Sequence, residues 1–130
     1  MVLKVVLDRE QVVERVRRAL STVYDPEIPI SVWDLGLVYG IDIDEDKGVV
    51  RIKMTLTAPA CPLSSLILYQ VQEALYRELA DIKEINEVNV DIVLDPPWDP
   101  SRMTEEGRKR FKEIFGYDVA EVYARRGLPR

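Results

Sequence analysis

Val49-Val50-Arg51-Ile52-Lys53-Met54-Thr55-Leu56-Thr57-Ala58-Pro59-Ala60-Cys61-Pro62 is the stretch on which the fold turns, because the hydrophobic period changes across it. Before Thr57, Val50, Ile52, Met54 and Leu56 fall on one face at period two, which predicts a half-buried strand. Beyond Pro62, Leu63, Leu66, Ile67, Val71, Ala74, Leu75 and Leu79 recur at helical spacing, which predicts a helix ending near Ala80. Proline is tolerated in a first helical turn, where a missing N–H costs nothing, so Cys61 falls at or just before the N-cap. Unpaired N–H groups and the positive dipole end favour an anion there, and a thiolate is an anion. The competing reading makes this sole cysteine a small apolar filler, since free cysteine is among the most buried residue types.

Working outward, Val38 to Asp44 alternates, with Tyr39, Ile41 and Ile43 on one face and Gly40, Asp42 and Asp44 on the other. Glu45-Asp46-Lys47-Gly48 reads as the turn that joins this strand to the next. The acidic run through it lacks the ligand spacing and closing glutamate of a calcium loop. Further upstream, Asp8 and Gln11 resemble a capping box, and Val12, Val13, Val16, Ala19, Leu20 and Val23 mark one face of a helix running to about Thr22. Met1 to Leu7 is apolar and β-rich, either a short edge strand or an arm that packs on a neighbour.

Between that helix and the first strand lies Asp25-Pro26-Glu27-Ile28-Pro29-Ile30-Ser31-Val32-Trp33-Asp34-Leu35-Gly36-Leu37, aperiodic and rich in prolines and carboxylates. Ordered loops of this kind commonly carry function. Taken singly, Asp25, Ser31 and Asp34 are as readily explained as caps of turns and helix starts. On the C-terminal side, Val88, Val90, Ile92 and Leu94 alternate with polar residues as a third strand, stopped by Asp95-Pro96-Pro97-Trp98-Asp99-Pro100. Ser101 or Thr104 can cap a last helix in which Met103, Phe111, Ile114 and Phe115 supply apolar contacts and Gly116 the stop. The order α-β-β-α-β-α describes an α+β fold: a small three-stranded sheet, four-stranded if the N-terminal arm adds an edge, with helices on one face. The expected organisation is a single domain over residues 1–130, with its core at about 9–115 and a C-terminal tail at 116–130.

Composition narrows the chemistry. The 130 residues include no histidine and one cysteine, so a Ser-His-Asp triad, a Cys-His dyad, an ordinary zinc site and an internal disulfide are all excluded. A net charge of -5 argues against a general nucleic-acid surface. No apolar run is long enough for a membrane span or a secretory leader, and a cytoplasmic location is expected. Residues 101–130 carry eight Lys/Arg against five Asp/Glu, where the first hundred carry ten against eighteen, a basic tail on an acidic body that either is solvated or docks on a partner.

Three motifs taken together resemble the SufT/PaaD-like family of iron–sulfur cluster assembly domains: Asp25-Pro26-Glu27-Ile28-Pro29 continuing to Asp34-Leu35-Gly36-Leu37-Val38-Tyr39, then Thr57-Ala58-Pro59-Ala60-Cys61-Pro62, then Pro97-Trp98-Asp99-Pro100 with Met103-Thr104-Glu105-Glu106. The resemblance spans roughly residues 9 to 115, and the family's α+β fold agrees with the order above. It implies a non-enzymatic factor that helps deliver iron–sulfur clusters, or iron, to client apoproteins. Cys61 would be the cluster or iron ligand, Asp25, Glu27 and Thr57 would line the same pocket, and Trp98 would cover or support it. One thiolate per chain cannot satisfy a standard cluster, which takes about four, so any cluster would be held transiently. It would be bridged between two copies or shared with a client or a small thiol. A homodimer is expected, and any cluster-handling ATPase would be a separate partner. The alternatives are a metal-free adaptor that binds proteins through its loop and Trp98, and an enzyme using Asp25, Glu27 or Asp34 as acid and base, an accessory subunit of an oxygenase pathway as the PaaD branch suggests.

Overall fold

Asp8 opens the first helix as the sequence predicts, its carboxylate accepting from the N–H groups of Glu10 and Gln11. The computed structural model describes residues 7–25, 28–57 and 64–118. Within them the order is α1 (Arg9–Leu20), β1 (Val38–Asp44), β2 (Val49–Met54), α2 (Ser64–Leu79), β3 (Glu87–Ile92), a 3-10 turn (Pro100–Arg102) and α3 (Glu105–Phe115). The described sheet has three strands in the order β1-β2-β3. β1 runs antiparallel to β2, and β3 runs parallel to it, so the sheet is mixed. A parallel neighbour requires a crossover, and α2 supplies it. The proposed edge strand at Met1 to Leu7 lies, except for Leu7, outside the described residues.

The period-two reading of β2 holds: Val50, Ile52 and Met54 are fully buried, while Arg51 and Lys53 face water. Val12, Val16, Ala19 and Leu20 of α1 and Ile67, Val71, Leu75 and Leu79 of α2 join them in one core. Each Val, Leu, Ile or Met side chain among them contributes about 1.5–3 kcal/mol on leaving water. Arg15 ties the two helices together, donating to both carboxylate oxygens of Asp81 at 2.9 and 2.8 Å and to the Glu78 carbonyl at 2.7 Å. Helical periodicity overstated the buried stripe at its margins. Val13, Leu66 and Ile114 sit there and are 39%, 48% and 46% exposed, because a helix packed on one neighbour covers only the centre of its apolar face.

Two further expectations are corrected. Register pairs Val38 with Met54 but Gly40 with Lys53, so Tyr39 is the extra residue of a β-bulge. Val38 therefore joins Ile41 against the core, and Tyr39 leaves the face that simple alternation assigned to it. The third strand also stops earlier than expected, at Ile92, which pairs with the last residue of β2. Leu94 has no strand to pair with and is 59% exposed.

The N-cap of α3 is Thr104 rather than Ser101. Its hydroxyl accepts from the Gly107 N–H, and Gly116 ends the helix in the left-handed region at φ 85°. Ser101 instead bonds to Asp99, whose carboxylate accepts from both its N–H and its hydroxyl.

Candidate functional site

Asp25 is a carboxylate only 4% exposed, at the point where the chain leaves α1 and turns into the irregular loop. A charge taken from water must find donors. One oxygen accepts from the Ile28 N–H at 3.0 Å, and the other from the Thr57 hydroxyl at 3.1 Å. The first bond is the turn cap that the local sequence suggested. The second is long-range and joins the loop to the segment leaving β2, four positions ahead of Cys61. Backbone pairing supports the approach: Asp25 N–H donates to the Ile30 carbonyl, Val32 N–H to the Val23 carbonyl and Thr55 N–H to the Leu37 carbonyl. Two of the residues assigned to the site by sequence, Asp25 and Thr57, are thus brought together. Glu27 and Cys61 lie outside the described residues.

Ser31 and Asp34 fulfil the capping role. The Ser31 hydroxyl accepts from the Asp34 N–H at 3.1 Å and donates to its carboxylate at 3.2 Å. Asp34 then reaches further. Its other carboxylate oxygen accepts from the Thr104 hydroxyl at 2.8 Å, and its carbonyl accepts from the Thr104 N–H at 2.9 Å, docking the start of α3 on the loop. The approach is close enough that a Cβ on Gly107 would lie 2.4 Å from the Asp34 carbonyl oxygen. Gly36, at φ +76°, likewise admits the Arg102 carbonyl, which a Cβ there would meet at 2.0 Å.

Trp98 lies between β3 and the 3-10 turn, in the segment that leads to α3. Its indole N–H donates to the Leu35 carbonyl at 2.5 Å, and its ring packs half-buried against the core. Its hydrogen bond goes to the backbone of the loop, not to Asp25 or Thr57. Among the described residues, no three histidine, cysteine or acidic side chains stand together as a metal-holding group.

The architecture places the chain in a recognised class of small α+β domains. The crystal structure of a domain of unknown function, DUF59, from Bacillus anthracis superposes with a TM-score of 0.67 at 32% identity, covering 78% of this chain and 92% of that one. The model of the iron–sulfur cluster assembly protein family matches residues 13–90, and the chain belongs to that family. A Porphyromonas gingivalis relative named as an Fe-S protein maturation auxiliary factor is 42% identical over 96 residues, which is 74% of this chain and 87% of that protein. The Bacillus subtilis Fe-S protein maturation auxiliary factor YitW is 42% identical over 95 residues, 73% of this chain and 88% of its own length. The role that follows from family membership is in iron–sulfur cluster assembly or maturation.

Proposed function

We propose that this protein is a non-catalytic maturation factor that takes an iron–sulfur cluster, or iron, as transient cargo on Cys61 and passes it to client apoproteins. The observation that carries this reading is the Thr57–Asp25 hydrogen bond, which ties the acidic loop to the segment leading into the sole cysteine. A buried carboxylate that accepts from the Ile28 N–H and the Thr57 hydroxyl supplies a rigid base for that loop, as a site presenting a single ligand requires. With one thiolate and no histidine, the chain supplies a minority of the ligands a cluster takes. The remainder come from a second copy, a client or a small thiol, which suits release better than retention.

Transfer is then ligand exchange without redox change. A client thiol attacks, its sulfur–iron bond forms as the Cys61 sulfur–iron bond breaks, and the client's proton passes to the departing Cys61 thiolate. Glu27, two positions beyond Asp25, offers an oxygen ligand suited to iron alone. Trp98 acts at a distance, by pinning the Leu35 carbonyl and hence the loop. Anaerobic reconstitution of wild type beside Cys61→Ala tests the reading. The variant is expected to lose bound iron and sulfide, and equal uptake by both would exclude Cys61 as the ligand.

A further inference from the structure

The bulge in β1 has a chemical consequence. Tyr39, turned off the core face, lies against the strap that runs from Pro96 to Thr104. Its phenol donates to the Pro96 carbonyl at 2.8 Å, and the Arg102 guanidinium stands 4.6 Å from its ring centroid. With Trp33 and Thr104 these groups line a cavity of about 590 Å³. Small-molecule sites typically enclose about 300–1,000 Å³.

The walls are fixed from behind. Trp98 holds the Leu35 carbonyl, Thr104 holds Asp34, and Gly36 lets the loop backbone close on the Arg102 carbonyl. Preorganised walls of this kind lower the ordering cost of binding.

The cavity's chemistry is specific. Among the described residues the guanidinium's partner is the Tyr39 ring rather than a carboxylate, which leaves its N–H fork for an incoming acceptor. That fork matches a carboxylate in shape and charge. The nearby acids already have donors: Asp34 accepts from Ser31 and Thr104, and Asp99 accepts from Ser101. Burial raises the Tyr39 phenol above its ordinary value and the Asp99 charge pushes the same way, so the phenol stays neutral at working pH and Arg102 supplies the attraction for an anion. Trp33 and Tyr39 supply flat apolar walls, the surface that stacks on a planar ring.

We infer that this cavity binds a small planar organic anion, a carboxylate on a flat ring, with Arg102 engaging the carboxylate and Trp33 the ring. The inference rests on these described lining residues and not on the cargo reading of Cys61.

The test titrates the full-length, ¹⁵N-labelled protein with 1-naphthoate and, separately, with uncharged 1-naphthamide, following the two indole N–H resonances. Trp98→Phe assigns them. The naphthoate titration is expected to move the Trp33 resonance saturably, with naphthamide at least tenfold weaker. Arg102→Gln should weaken naphthoate at least tenfold while the amide spectrum stays dispersed, and Arg102→Lys, which keeps the charge and loses the fork, should fall between. Equal affinity for the two probes, an Arg102→Gln protein that binds naphthoate like wild type, or shifts that never saturate would each overturn the inference.

Discussion

Replacing Gly107 by alanine sets two physical effects against each other, and the structure decides which wins. Inside a helix the exchange is ordinarily favourable by up to about 1 kcal/mol, because glycine gives up more backbone entropy on folding. Gly107, however, lies in the first turn of α3 against the loop, where an added Cβ would sit 2.4 Å from the Asp34 carbonyl oxygen and 3.0 Å from its carbon. Both are backbone atoms that cannot rotate away. Relief requires α3 to withdraw from the loop, which stretches the Thr104–Asp34 bonds at 2.8 and 2.9 Å. Overpacking of this kind costs about 1–3 kcal/mol, and loss of those bonds adds roughly 1 kcal/mol each. The net expectation is a destabilisation of about 2–4 kcal/mol, opposite in sign to the helix-propensity effect. Urea unfolding followed by circular dichroism measures it. Gly40→Ala is the control, because nothing lies within 4 Å of a Cβ there. A Gly107→Ala protein as stable as wild type, or more so, would refute the docking of α3 on the Asp34 loop.

Thr57→Val removes one donor to the buried Asp25 carboxylate while keeping the side-chain shape. Bonds to charged groups are worth about 1.5–3 kcal/mol, so the urea midpoint should fall by that equivalent, and an unchanged midpoint would mean the bond contributes nothing. The Arg15–Asp81 pair sets an acid limit: Arg15's hydrogen bonds hold the Asp81 carboxyl below its ordinary 3.8 in the folded chain. A lowered folded value means that the folded state binds the proton more weakly than the unfolded one. The pair's contribution is therefore complete above the unfolded value and is lost as pH falls through the folded one. The stability gap between wild type and Asp81→Asn should accordingly be present at pH 6 and shrink below about 3.8. A gap that is constant over that range would show that the pair does not act through charge.

Much of the architecture was legible because it rests on local chemistry. Period two in Val50, Ile52 and Met54, helical spacing in Val12, Val16, Leu20, Val71 and Leu75, and the caps at Asp8, Thr104 and Gly116 each act over a few residues. The family resemblance was legible for a similar reason, since its motifs are short and contiguous, and the family model bears it out. The margins of α1, α2 and α3 were less legible, because Val13, Leu66 and Ile114 carry the right hydrophobicity and differ from their buried neighbours only in what the fold sets against them.

Of the candidate site, sequence could nominate Asp25, Glu27, Thr57, Cys61 and Trp98. It could not show that Asp25 and Thr57 hydrogen-bond across 32 positions, or that Trp98 donates to Leu35 across 63. The Arg102–Tyr39 cavity left no trace in the pattern, since strict alternation placed Tyr39 in the core and only a bulge turns it outward.

The sequence by itself determined the elements, their order, the buried face of β2, the single cysteine and the absence of imidazole, because these depend on residue type and near-neighbour spacing. Tertiary structure alone decided that β3 lies parallel beside β2, that Tyr39 leaves the core, and that the Asp34 loop, Trp98 and α3 lock together. Those outcomes depend on contacts between residues far apart in the chain, whose energies no local pattern encodes.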